Sequence, residues 1–168
     1  MRFKNPRRLR WLVIGCFLSA VGVVVLLWLT RAAIPYRAAR ALHHADQYEL
    51  LSLFPISTSG GTKPQFHRHN ILGQASITDP AIRKRLNAAL EGGAKQGNDP
   101  YLCFNPRHGI RVTRGSDVTD FVICFECHQV EIWINQQRAG GFLTSGSPQA
   151  VFDEVLTSAA AIAADKSP

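Results

Sequence analysis

The longest apolar stretch of the chain covers residues 11–30 and contains no charged side chain. As an α-helix, a stretch of this length spans about 30 Å, which is the thickness of the hydrocarbon core of a bilayer. Trp11 and Trp28 lie near its two ends, where indole rings favour the membrane interface. The pattern predicts a single transmembrane helix in contact with the lipid bilayer.

Three other interpretations of the same stretch stay open. A secretory signal peptide would be cleaved, with Thr30-Arg31-Ala32 as the best available site. Val13-Ile14-Gly15-Cys16 loosely resembles a lipoprotein signal, and a buried core helix would have to be apolar on every face. The basic flank over 1–10 favours a cytoplasmic N-terminus. The rest of the chain is therefore expected at the cell membrane on the extracytoplasmic side.

Apolar positions after this stretch first recur at helical spacing. Pro35 is suited to the start of a helix. Ala38 and Leu42 are four residues apart and lie on one helical face. This spacing predicts a juxtamembrane helix over 31–54 and leaves an extracytoplasmic domain over 55–168.

The domain alternates between predicted strands and helices. Segments rich in β-branched and aromatic residues predict strands at 66–72, 101–104, 110–114 and 118–134. The last segment is far longer than an ordinary strand, so a bulge or bend is expected within it. A cap followed by proline predicts helix starts at Asp79-Pro80 and Ser147-Pro148. The expected fold is α+β, an N-terminal transmembrane helix followed by a small antiparallel sheet packed with about three helices.

Charge narrows the range of partners. The formal net charge of the chain is +7, but residues 1–31 contain six basic side chains and no acidic one, so the remainder carries only +1. A domain that binds nucleic acid through its surface would carry a basic patch of its own. No nucleic-acid partner is expected. The lipid bilayer, and a second membrane or extracytoplasmic protein, are the expected partners.

The segment Cys124-Phe125-Glu126-Cys127-His128 matches the attachment pattern of a c-type haem, in which two thiols bind the vinyl groups and the histidine binds iron. The motif lies in a strand-forming run, however, and a regular strand points Cys124 and Cys127 to opposite faces. No methionine after Met1 can serve as a second axial ligand. Haem is therefore disfavoured, and no cofactor is expected by default.

A zinc site is another interpretation of the cysteines. If Arg114 opposes Asp117 across a tight turn, the same register places Cys103 opposite His128. The three cysteines of the domain and one histidine would then form a Cys₃His zinc site, made of Cys103, Cys124, Cys127 and either His128 or His108. Such a site needs a bulge in the strand that brings both thiols of the C-x-x-C segment to one side.

Two further interpretations use the same residues. One is a nucleophilic or redox-active cysteine near His108 and Glu126. The other is structural. Here the cysteines are buried in the core, or Cys103 and Cys124 form a cross-strand disulfide, and His128 lies at the surface.

The loop Asn105-Pro106-Arg107-His108-Gly109 presents an arginine and a histidine on a tight turn. Arg107 and Glu126 form a candidate polar site, since a guanidinium at such a turn can hold an anion or a carboxylate. The simpler expectation is that Arg107 pairs with Glu126 or with Asp120.

At these residues the chain resembles a known family. The segment Cys103-Phe104-Asn105-Pro106-Arg107-His108-Gly109-Ile110, followed by Ile123-Cys124-Phe125-Glu126-Cys127, resembles an uncharacterised bacterial membrane-anchored family with a CF-x-PRHG-I segment and then an ICFEC strand. The resemblance implies no known activity. The expected function is therefore a structural or interaction module of a membrane-anchored protein. The alternative is a thiol- or metal-dependent site at the three cysteines.

Overall fold

The computed structural model describes residues 19, 21–22, 34–57, 64–97 and 99–165. These ranges contain three helices, Tyr36–His43 (α1), Pro80–Lys95 (α2) and Gln149–Asp165 (α3). They also contain seven strands, Gln47–Ser57 (β1), Gln65–Phe66 (β2), His69–Ser76 (β3), His108–Arg114 (β4), Asp117–Cys124 (β5), Gln129–Ile134 (β6) and Gln137–Leu143 (β7). All neighbouring strands are antiparallel, and the sheet has the order β2-β3-β1-β4-β5-β6-β7.

Alternation along the strands divides their apolar side chains between two faces of the sheet. On one face, Leu50 and Phe121 are fully buried beneath the helices. The helices α1, α2 and α3 contribute Leu42, Leu86 and Phe152 to the same core. This face holds the larger of the two hydrophobic clusters.

A polar contact inside this core joins three elements. The Tyr48 hydroxyl on β1 donates to Asn87 Oδ1 on α2 (3.1 Å), and Asn87 Nδ2 donates to the Leu42 carbonyl on α1 (3.1 Å). Burial raises the pKa of Tyr48, so its hydroxyl keeps its proton and remains a donor. The buried polar groups thus satisfy one another, as a close-packed interior requires.

The opposite face carries a smaller cluster that the β2–β3 hairpin covers. The pairing of β1 with β3 shifts register on either side of Leu53, and such irregularities bend a sheet. Phe66 packs here with Leu51 and Val122. A Cβ atom on Gly109 would lie 2.8 Å from Phe66 Cε1, so the missing side chain makes room for the ring.

The predicted membrane helix over 11–30 falls almost entirely outside the described residues, and so do Trp11 and Trp28. No helix within the described ranges is long and apolar enough to cross a bilayer. The longest of them, α3, has 17 residues and carries Asp153 and Glu154. This finding contradicts the predicted single-pass anchor. It also contradicts the predicted location at the cell membrane.

The predicted fold class is also wrong in the size of the sheet and in the extent of the first helix. The sheet is not a small one beside a membrane helix, because it has seven strands, and strand residues outnumber helical residues in the described ranges. Within the predicted helix over 31–54, only Tyr36–His43 is helical among the described residues, and Gln47–Ser57 is strand β1. Tyr48 and Leu50 both point into the core from β1. The helical spacing of Ala38 and Leu42 belongs to α1 alone, and the prediction extended it too far into a segment with a period of two.

Two other segments also differ from the prediction. Residues 66–72 are interrupted by a turn at His67 and Arg68, whose φ angles of 45° and 71° are left-handed. Strand β7, Gln137–Leu143, was not expected, because its sequence contains two glycines and few strand-forming residues. Pairing with β6 makes it a strand.

Candidate functional site

The C-x-x-C segment lies on a tight turn rather than on a strand with a bulge. Strand β5 ends at Cys124, and a turn over 125–128 leads into β6. The reversal brings Cys124 and Cys127 together as a disulfide, with Cα atoms 5.1 Å apart. His128 completes the turn with a φ of 57°. Because the strand does not continue, the two thiols do not point to opposite faces.

Both sulfur atoms of the disulfide accept a backbone hydrogen bond. The amide of Cys127 donates to Cys124 Sγ (3.1 Å), and the amide of Asn105 donates to Cys127 Sγ (3.3 Å). Each of the two cysteines is only 1 % exposed. Amide donors stabilise a thiolate more than a thiol. Either sulfur is therefore suited to carry negative charge when the disulfide opens.

An irregular loop over 99–107 crosses this turn in place of the strand predicted at 101–104. The amide of Tyr101 donates to the Cys127 carbonyl (3.2 Å), and Gln129 Nε2 donates to the Tyr101 carbonyl (2.6 Å). With the bond from Asn105, the loop is attached to the turn at two points. The hydrogen bonds to the turn take the place of a strand ladder.

Cys103 lies between these two attachment points. It is an exposed, free thiol. Its neighbours Tyr101 and Leu102 are also exposed, Tyr101 at 57 % and Leu102 fully. The cross-strand disulfide between Cys103 and Cys124 does not form, because the turn joins Cys124 to Cys127 instead.

On the helix-covered side, the disulfide turn is anchored by Phe125. Its ring packs against His108 (5.3 Å between centroids) and Phe152 (5.0 Å). His108 Nε2 lies 2.8 Å from Asp153 Oδ1. Burial lowers the pKa of His108, although Asp153 opposes part of this effect. His108 pairs with Ile123 in the β4–β5 ladder.

The remaining predicted residues lie at the edge of the turn. Arg107 and Glu126 form an exposed ion pair (3.4 Å), so the simpler expectation for Arg107 is confirmed. The His128 ring lies 5.1 Å from the Tyr101 ring. Its Nδ1 atom is buried and has no hydrogen-bond partner among the described residues.

Within the ranges that the structure describes, no three His, Cys, Asp or Glu side chains converge so as to hold a metal ion. Cys124 and Cys127 are bonded to each other, so the predicted Cys₃His set is not assembled. The thioether bonds of a c-type haem would use the same two sulfurs.

A second polar cluster, not predicted from the sequence, lies on the opposite face of the sheet. Arg111 binds both carboxylate oxygens of Asp120, at 2.8 Å each, and His67 Nε2 lies 2.7 Å from Asp120 Oδ2. The His67 ring stacks on Trp133, with centroids 4.4 Å apart. The contact between Arg111 and Asp120 could have been predicted from the sequence, since the β4–β5 register places these two residues directly opposite each other. The contact with His67 could not.

The second cluster, made of Arg111, Asp120 and His67 and called the clamp below, has a structural role. The side chains of Asp120 and His67 are 2 % and 5 % exposed. Burial raises the pKa of Asp120, but hydrogen bonds from Arg111 and His67 outweigh it and hold that pKa below its usual value. The cluster contains no thiol or hydroxyl nucleophile. It fastens the β2–β3 hairpin to the sheet.

Comparison of the chain with protein-family models, with curated proteins and with solved structures finds no match. The resemblance to a bacterial family therefore stays a prediction, and the candidate function depends on the geometry of the site alone.

Proposed function

We propose that the protein carries out thiol–disulfide exchange with a protein partner at Cys103, Cys124 and Cys127. The observation that carries this proposal is the position of Cys103. It is a free, exposed thiol on a loop whose two flanking amides, from Tyr101 and Asn105, both bond Cys127. A free thiol beside a disulfide is the arrangement that exchange requires.

The geometry favours Cys127 as the sulfur that Cys103 attacks. The Asn105 amide is 3.3 Å from Cys127 Sγ, and Cys103 precedes it by two residues. Successive Cα atoms are about 3.8 Å apart, so Cys103 lies within about 7 Å of Asn105, and a movement of the loop would bring its sulfur to Cys127 Sγ.

The first step is an internal exchange with balanced electrons. The Cys103 thiolate attacks Cys127 Sγ, a Cys103–Cys127 bond forms, and the Cys124–Cys127 bond breaks. The electron pair of the broken bond stays on Cys124 Sγ, where the Cys127 amide stabilises the leaving thiolate. The step consumes no oxidant, because one disulfide replaces another.

The second step transfers the disulfide to a partner that carries two thiols. A partner thiolate attacks the exposed Cys103 sulfur and releases Cys127, and the second partner thiol then displaces Cys103. Two electrons and two protons pass to the cysteines of this chain, and the partner is oxidised to its own disulfide. Exposed Tyr101 and Leu102 supply an apolar contact for the partner beside the reacting thiol.

A structural role for the disulfide is the second candidate, and the burial of both cysteines favours it. The closed loop is very short, however. In the chain-entropy model, a disulfide that closes so few residues stabilises a fold by about 2 kcal/mol, less than one that closes a long loop. A purely structural disulfide also leaves the adjacent free thiol without a role.

The test is the rate at which dilute dithiothreitol reduces the full chain, followed by alkylation and mass spectrometry. In the wild type, exchange carries the buried disulfide to the surface through Cys103. We expect Cys103→Ser to slow reduction about tenfold, since an intramolecular thiol acts at an effective concentration of about millimolar. Cys16→Ser is the matched control and should leave the rate unchanged.

A trapping variant gives an independent result. In Cys124→Ser, mild oxidation should join Cys103 to Cys127, and peptide mapping would detect the bond. Equal reduction rates for the wild type and Cys103→Ser would contradict exchange and leave the structural role. Failure to form the trapped bond would also overturn the proposal.

A further inference from the structure

A pocket of about 460 Å³ opens between α1 and the ends of β4, β5 and β6. It is remote from the disulfide, because Asp117 at the start of β5 lines it whereas Cys124 ends the same strand. The length of β5 separates the two places by about 23 Å. The volume is typical of sites for small molecules, which span about 300–1,000 Å³.

Arginine side chains dominate the lining of this pocket. Arg37 and Arg40 come from α1, and Arg114 comes from the end of β4. None of the three forms an ion pair or a side-chain hydrogen bond with another described residue. Asp117 supplies a carboxylate, which accepts a hydrogen bond from Asn135 Nδ2 (3.2 Å). Three positive charges and one negative charge give the lining a net charge of +2.

The start of α1 adds to this positive potential. Pro35 occupies the N-cap position, no side chain caps the helix, and its first turn has no acidic residue. Among the described residues no side chain caps the amide groups of the first turn, and the positive end of the helix dipole lies there. Tyr36 and Arg37, the first two residues of α1, line the pocket. A helix start favours phosphate groups near it.

The floor of the pocket is apolar. Val112 and Ile134 line it, and both belong to or pack against the main core. Tyr36 lines it too, and this residue is 77 % exposed. A ligand that fits this lining combines an anionic group with an apolar or aromatic part.

We propose that this pocket binds an organic phosphate monoester. Such a group carries a charge of about −1.5 to −2 near pH 7, which matches the net charge of +2 better than a carboxylate does. Guanidinium groups bind phosphate oxygens in pairs, and none of Arg37, Arg40 and Arg114 forms an ion pair with a carboxylate in the described part of the chain. The apolar part of the ligand then lies on Val112 and Ile134. The proposal does not depend on thiol exchange.

Calorimetric titration of the full chain with phenyl phosphate tests this proposal. We expect saturable 1:1 binding that weakens about tenfold in Arg40→Gln and in Arg114→Gln, as loss of a charge-assisted hydrogen bond implies. Both side chains are exposed, so both variants should fold, and thermal unfolding checks this. The matched control is Lys84→Gln, which removes one positive charge from an exposed position on α2 outside the pocket and should change the dissociation constant less than twofold.

Three further titrations define the ligand class. Inorganic phosphate should bind more weakly than phenyl phosphate, because it leaves the apolar floor empty, and benzyl alcohol should not bind. Benzoate should bind more weakly because it carries a single charge. Benzoate binding as tight as phenyl phosphate would overturn the assignment. An equal loss in Lys84→Gln, or no saturable binding of phenyl phosphate, would overturn the site itself.

Discussion

Asp120 is a carboxylate in a place almost without solvent, since its side chain is 2 % exposed. A buried charge is tolerated only when partners replace its hydration. Arg111 replaces it with two hydrogen bonds and His67 with a third. Glu126, by contrast, is paired with Arg107 in an exposed position, where an ion pair contributes little.

Replacing Asp120 by Asn should lower the free energy of unfolding by about 3 kcal/mol, because Arg111 loses its counter-charge and an amide donor then faces other donors. Urea unfolding followed by far-UV circular dichroism measures the change. The control Glu126→Gln should cost less than about 1 kcal/mol, since that pair is exposed. Similar losses in the two variants would contradict a specific role for the buried carboxylate.

The β2–β3 hairpin is positioned by close packing against β4. The left-handed turn at His67 and Arg68 reverses the chain, and Phe66 then lies over Gly109. Arg111 lies beneath the same ring, with its guanidinium carbon 5.1 Å from the ring centroid. The Phe66 ring therefore packs against β4 where Gly109 leaves room for it, beside the Arg111 guanidinium.

Gly109→Ala should destabilise the protein by about 1–3 kcal/mol, because its Cβ would approach Phe66 within 2.8 Å and the ring would have to move. Thermal and urea unfolding measure the loss. Gly92→Ala on α2 is the matched control: no atom lies within 4 Å of its added Cβ, and alanine favours the helix by about 1 kcal/mol. A stable Gly109→Ala protein would show that the hairpin does not depend on this contact.

Across the whole molecule, buried ionisable groups make the fold sensitive to acid. Burial lowers the pKa of His69 and of His108, so the folded state holds these rings neutral. Burial raises the pKa of Asp120, but Arg111 and His67 lower it by more. In all three cases the unfolded chain binds protons more readily than the folded one, and stability is lost as pH falls.

The free energy of unfolding should therefore decrease as pH falls below about 6.5, the ordinary pKa of histidine, with a further loss below about 3.9, the ordinary pKa of aspartate, as Asp120 is protonated. In His108→Gln the decrease just below pH 6.5 should be smaller. The exposed residue His44 provides the control, and His44→Gln should retain the wild-type slope. Urea titrations at several pH values test this, and an unchanged slope in His108→Gln would contradict it.

Some of the structure was determined by local sequence alone. Asp79 caps α2 as predicted, since its Oδ1 accepts a hydrogen bond from the Ala81 amide (2.7 Å). The β4–β5 register is also confirmed, with Arg114 opposite Asp117 and Gly115 in the left-handed turn between them (φ 59°). Caps and two-residue turns depend on residues within a few positions of one another, so they can be predicted from the sequence.

The candidate thiol site was predictable only in part. Extending the β4–β5 register predicts that Cys103 lies near the C-x-x-C segment. The hydrogen bonds from the amides of Tyr101 and Asn105 to Cys127 are consistent with this prediction. The choice of disulfide partners was not predictable, because it depends on whether the chain continues or turns after Cys124. Both conformations suit the strand-forming residues on either side.

The remaining features were decided by tertiary structure, because they join residues distant in the chain. Strand β1 is fixed by pairing with β3 and β4, so the helix predicted over 31–54 ends before it. The clamp brings His67 to Asp120, and the basic pocket brings Arg37 to Arg114. Composition and periodicity identify residue types and local conformation. Contacts across such separations follow from the packing of the sheet, which selects one of many locally acceptable arrangements.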